Sequence, residues 1–130
     1  MKLDGVFLDM YGTLTTGDRA AVETTCEEII NDTGLRMTAQ ELSVVWGERF
    51  FHALDTCNDE RFLNLYDIEA TTLVETMERL GTPVDPHPYV RRLSGYWQDP
   101  PIQPEVREFL ASFPLPFCIV SNADRAEIDE

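Results

Sequence analysis

Apolar and polar positions change period along this chain, and each change marks an element. Val6-Phe7-Leu8 is an unbroken apolar run that stops at Asp9, the pattern of a strand buried in a parallel sheet. From Ala20 to Thr33 the period becomes helical, with Val22, Cys26, Ile29 and Ile30 in step until Gly34 stops the run. Asp18 stands where it can cap that helix. Thr38-Ala39-Gln40-Glu41 is a capping-box pattern, with Thr38 as N-cap and Glu41 reaching back. The helix it opens carries Leu42, Val45, Trp46, Arg49, Phe50, Ala53 and Leu54. Asn58-Asp59-Glu60 interrupts, and a further helical stretch runs from Phe62 to Leu80, with a bend expected near Tyr66 to Ile68. Gly81 ends it, and Pro83, Pro86 and Pro88 set an extended connector. Tyr89 to Trp97 reads as another helix, with a hard stop at Asp99-Pro100-Pro101. Pro104 opens a helix through Leu110. Phe117 to Val120 is a second apolar strand ending in Ser121-Asn122, and Ala123 to Glu130 reads as the start of one more helix.

At 130 residues the chain is one domain by length and can bury a core. A formal charge of −14 argues against nucleic acid or an anionic membrane as partner. An acid-rich surface accounts for it. Nothing approaches the roughly 20 apolar residues of a membrane span, and no leader is visible before the first strand, so a cytoplasmic protein is expected. Cys26, Cys57 and Cys118 are widely spaced and odd in number, and read as reduced structural thiols.

The chemistry is concentrated after the first strand. Ligands of an open α/β sheet bind at the carboxyl ends of its strands, and there Asp9, Tyr11, Gly12, Thr13 and Thr15 follow one another. One reading is an ordinary turn behind an Asp-capped strand. The order Asp9-x-Tyr11-Gly12-Thr13-Leu14-Thr15, however, resembles the first motif of the haloacid dehalogenase-like (HAD) hydrolases. The resemblance implies an α/β, Rossmann-like core with an all-helical cap inserted after the first motif: core at 1–17 and 97–130, cap at 18–96. The competing architecture is a plain helical bundle whose apolar stripes only pack. The resemblance further implies that Asp9 is a covalent nucleophile, assisted by Thr13. Val120-Ser121-Asn122 is similar to the second motif, in which Ser121 would hydrogen-bond the transferred group. In phosphatase members Asp9 and the Tyr11 backbone carbonyl would touch Mg²⁺. The partner implied is a small anionic substrate.

Two branches of that resemblance compete. Phosphatases carry a second Asp two residues after the nucleophile as acid and base. Here that position is Tyr11, whose phenol, with pKa near 10, is a poor base at neutral pH. The Asp-x-Tyr form is that of the 2-haloacid dehalogenases, which need no cofactor. Those enzymes hold the departing halide with a cap Arg directly after a Trp. Here Gly47 follows Trp46, and Arg49 lies two positions on, about 200° around the helix from Gly47. Arg49 and Trp46 are therefore cap candidates, His52 and Arg61 weaker ones, and a surface Arg49 paired with Glu48 or a neighbouring carboxylate is the plainer alternative. With that Arg displaced, the balance tips to a phosphoester, with the dehalogenase close behind. A non-catalytic binding module is the third reading. The later Lys and acidic motif implied by the resemblance do not occur before Glu130, so a longer parent protein is expected, with the 130-residue chain inactive alone.

Overall fold

The structure is a computed structural model that describes residues 2–128. Its elements run β1 (Val6–Leu8), α1 (Asp18–Thr33), α2 (Ala39–Thr56), a 3₁₀ turn (Asp59–Arg61), α3 (Leu65–Arg79), α4 (His87–Gln98), α5 (Val106–Ser112), β2 (Phe117–Ile119) and α6 (Arg125–Ile128). Its contacts separate two compact units. One comprises Met1–Asp18 and Asp99–Asn122, the other Arg19–Gln98 and Ala123–Glu130.

The first unit is the α/β one. β1 and β2 pair in parallel, with Val6, Phe7 and Leu8 facing Phe117, Cys118 and Ile119. An antiparallel bridge joins Thr15 to Ile102, and the Thr16 amide donates to the Pro101 carbonyl at 2.9 Å. Leu14, Thr15 and Val106 are buried. Both strands were expected to be buried on two faces, and here they are not: Phe7 is 81% exposed, and Phe117 and Ile119 are exposed as well. Among the described residues the sheet has only these two strands, so the apolar runs lack the neighbours that cover a parallel sheet. Cys118, on β2, is accordingly exposed and free.

The second unit is helical. Cys26 and Ile29 of α1, Leu42 and Trp46 of α2, Ala70, Leu73 and Met77 of α3, and Tyr89, Val90 and Leu93 of α4 form one core. Their spacing is the periodicity of the sequence, each helix turning one stripe inward. The Thr38 capping box is present: its hydroxyl accepts from the Glu41 amide at 3.1 Å, and Glu41 accepts from the Thr38 amide at 2.7 Å. α1 ends where Gly34 takes φ +70, a conformation that costs a residue without Cβ nothing.

α3 departs from the expectation. It starts at Leu65, not Phe62, and Phe62 and Leu63 lie exposed outside it. Asn64 caps it by accepting from the Asp67 amide at 2.8 Å, while Asp124 accepts from the Leu65 and Tyr66 amides at 2.7 and 3.0 Å. The orphan donors of its first turn are thus met from two directions. The expected helix from Ala123 is reduced to Arg125–Ile128; Asp129 and Glu130 lie outside the described residues.

Candidate active site

The chain leaves β1 at Asp9 and immediately folds into a tight turn. The amides of Thr13, Leu14 and Thr15 all converge on the Met10 carbonyl, at 3.2, 2.8 and 3.1 Å. Gly12 makes that turn with φ +71, strained for any residue with a Cβ. A Cβ there would meet Asp18 Oδ2 only at 3.5 Å, so conformation and not space demands glycine. The turn brings the Thr13 hydroxyl back to the strand end, where it donates to Asp9 Oδ2 at 2.7 Å. Asp9 is exposed, and Oδ1 makes no hydrogen bond within the described residues.

β2 brings Ser121 and Asn122 to the same end of the sheet. The last ladder bond runs from the Val120 amide to the Leu8 carbonyl at 2.9 Å. Asp9 therefore lies level with Val120, and Ser121 one residue beyond, both leaving the sheet at its carboxyl edge. Ser121 and Tyr11 are half-buried, and Asn122 is exposed. The α/β unit thus collects Asp9, Tyr11, Thr13, Ser121 and Asn122 at one sheet edge. The four-residue α6 begins only at Arg125, so the strand-to-helix turn expected at Ser121 is not formed there.

The two cap candidates sit on α2. Trp46 is 3% exposed in the helical core, and its indole donates to Thr72 Oγ1 at 3.0 Å. Its apolar area and its one donor are both committed to packing. Arg49 is half-buried, and its Nε is buried without an acceptor, which costs about 1–3 kcal/mol for an unmet donor. The alternative of a surface Arg49 paired with Glu48 or a neighbouring carboxylate is not what forms among the described residues: Arg49 is in neither of the ion pairs Arg19–Glu23 and Arg92–Glu28. His52 is exposed on α2, and Arg61 is exposed in the 3₁₀ turn.

The sequence reading passed over the buried carboxylates. Glu69 is 5% exposed in α3 and accepts from the Trp97 indole at 2.8 Å. Burial pushes its carboxyl up to about 8; the Trp97 bond works against the rise, and Glu127 and Asp124 add to it. Glu127 is raised too, chiefly by burial. The signal was a Glu at a core-facing position of α3, next to Ile68 and Ala70. Burial likewise pushes the Cys26 thiol up to about 12, with Glu23 adding to it, which makes that thiol inert at neutral pH.

As a metal centre the site is thin. Asp9 and the Tyr11 carbonyl are two oxygen donors, where Mg²⁺ takes six ligands. Among the described residues no group of three or more His, Cys, Asp or Glu is placed to hold an ion. The donors among the described residues do not by themselves complete a Mg²⁺ shell.

The fold has clear counterparts among solved structures. The L-2-haloacid dehalogenase of Xanthobacter autotrophicus superposes with a TM-score of 0.69 at 19% identity, covering 98% of this chain and 50% of that one. A second L-2-haloacid dehalogenase, RSc1362, gives 0.68 at 22%, covering 99% and 57%. The Xanthobacter enzyme with chloropropionic acid covalently bound gives 0.65 at 19%, covering 98% and 50%. This chain therefore shares the fold of those dehalogenases, with an α/β part and a helical part, and spans about half the length of the structures it matches. No family model matches the sequence, and no curated protein does. Among the described residues no helix is long and apolar enough to cross a membrane.

Proposed function

We propose that the protein is a HAD-type hydrolase in which Asp9 is the nucleophile, with dehalogenase-type chemistry ahead of phosphatase. The observation that carries this is the Asp9 carboxylate at the strand end, bonded through Oδ2 to Thr13 and free at Oδ1. Oδ1 attacks the carbon that bears the halogen, a new C–O bond forms, and halide leaves with the electron pair of the broken bond. Water then adds to the aspartyl carbonyl carbon and the bond from that carbon to the ester oxygen breaks; one water proton goes to the departing oxygen and the other to solvent, which releases a hydroxy acid and restores the carboxylate. Thr13 holds Asp9 in one rotamer, and Ser121 and Asn122 supply polar groups beside it. Tyr11 lends no acid or base, and this route asks for none at the leaving group.

The sequence alone leaned towards a phosphoester. One observation now moves the balance: the matched structures are L-2-haloacid dehalogenases, one with chloropropionic acid bound covalently, and this joins the Tyr11 already read where a phosphatase needs a carboxyl. The helical unit is read as the cap, roughly 18–96, around a core of 1–17 and 97–130. Substrate is a small organic acid, with no cofactor required. A cytoplasmic location fits this reading.

The test is a paired assay on the longest form of the protein that its gene encodes. Chloride release is followed from 2-chloropropionate with chelator present, and phosphate release from mixed phosphoesters with Mg²⁺. Chloride release that Asp9→Asn abolishes is the expected result. Mg²⁺-dependent phosphate release would instead assign the phosphatase branch. Silence in both arms, with the protein folded, would favour a binding module.

A further inference from the structure

The helical unit carries a groove that the hydrolytic reading does not use. It lies between α2 and α3 and encloses about 490 Å³. Arg49, Ala53, Ile68 and Thr72 form its deeper part, and Glu48, His52, Thr56, Glu75 and Arg79 stand exposed around it. The spacing explains the arrangement: 49, 53 and 56 share one face of α2, and 68, 72, 75 and 79 one face of α3. Gly47 is not part of this face.

Arg49 lines the groove and carries a side-chain N–H that no acceptor among the described residues meets. That atom, Nε, is buried. Thr72, the nearby hydroxyl of the groove, is turned to other partners: it donates to the Ile68 carbonyl at 2.7 Å and accepts from the Trp46 indole at 3.0 Å. Neither Arg49 nor Arg79 is in an ion pair among the described residues. A buried guanidinium N–H is completed by an anionic oxygen, and a carboxylate suits it in charge and geometry. Ala53, Ile68 and Leu63 offer apolar contact to whatever the anion carries. The rim sets the charge of the ligand. Arg79 and His52 favour an anion, while Glu48 and Glu75 at the same mouth oppose a second negative charge.

We propose that the α2–α3 groove is a binding site for a small organic monoanion, a short-chain carboxylate whose head meets Arg49 and whose hydrocarbon lies on Ala53 and Ile68. The site stands whether or not Asp9 proves to be a nucleophile.

The experiment is an NMR titration of the full chain that follows the Arg49 Nε–Hε resonance. Butyrate, inorganic phosphate and butylammonium are the probes. Butyrate gives a saturable shift, and Arg49→Gln weakens it by roughly tenfold or more, the size of one charge-assisted hydrogen bond. In that variant the shifts of the Ala53 and Ile68 amides serve as the readout. Arg19→Gln, which removes an exposed ion pair on α1, leaves the affinity unchanged. Ala53→Leu fills the groove without altering its charge and also abolishes the shift, so the proposal survives a folding failure of the Arg49 variant. The Trp46 indole resonance reports whether each variant keeps its core. Phosphate binding as tightly as butyrate would overturn the monoanion assignment. Non-saturable shifts, or equal affinity in the Arg49 and Ala53 variants, would overturn the site.

Discussion

At the scale of single residues, the bond from Thr13 to Asp9 has the most consequence for chemistry. A hydroxyl donating at 2.7 Å to one carboxylate oxygen restrains the rotamer and leaves the other oxygen for a substrate. Thr13→Val keeps the shape and removes the donor. A hydrogen bond to a charged group contributes about 1.5–3 kcal/mol, so turnover is expected to fall by roughly ten- to a hundredfold while the melt stays close to wild type. Steady-state kinetics beside a thermal melt check this, and unchanged kcat would leave Thr13 a turn residue only. The order of residues from Asp9 to Thr13 made this turn legible, because a glycine and two hydroxyls behind a strand-ending carboxylate are themselves the geometry. Trp46 was not legible in the same way. A tryptophan on an amphipathic face has the same period whether it lines a site or fills a core. Only its 3.0 Å bond to Thr72, 26 residues away, decides for the core.

At the scale of elements, local signals were readable and long-range ones were not. The α2 start was written in four consecutive residues, Thr38 to Glu41, and formed as a capping box. Thr38→Ala removes the side-chain half of it and is expected to cost about 1 kcal/mol in urea unfolding, with an unchanged m-value. The α3 start was misplaced because its determinants are split. Asn64 is local, but Asp124 reaches the Leu65 amide across 59 positions, a pairing that no window of sequence contains. A charged carboxylate on two helix N-terminal amides also meets the positive end of the helix dipole. Asp124→Ala is therefore expected to destabilise by about 1–2 kcal/mol, more than the Thr38 cap. Hydrogen exchange should speed at Leu65 and Tyr66 before the rest of α3. If those amides exchange as in the wild type, Asp124 is not holding the helix end.

At the scale of the whole molecule, the order strand, helices, helix, strand was legible from changes of period, and so was the pairing of an α/β part with a helical part. What period cannot report is depth, and the errors share that cause. The apolar runs of β1 and β2 were read as buried, yet a run of three apolar residues is the same string whether its sheet has two strands or many. Glu69 is the opposite case, a charged residue in the sequence that folding removes from water. Its ordinary value of 4.5 is raised to about 8 in the folded chain, first by burial. Between those values the folded state holds a proton that the unfolded state has lost, so the unfolding free energy falls as pH rises through that window and levels off above it. Glu127, raised by burial as well, acts with the same sign. The general repulsion within a chain of net charge −14 also grows with pH, so the slope of the wild type alone does not isolate Glu69. Glu69→Gln does, since the amide oxygen still accepts from the Trp97 indole and carries no titration. Urea melts stepped from about pH 4.5 to about pH 8.5 should show the two proteins alike at the acid end, with the variant ahead at the alkaline end by on the order of a few kcal/mol. Curves that stay parallel across the range would mean that Glu69 is ionised inside the fold, and a cation would then have to be found beside it.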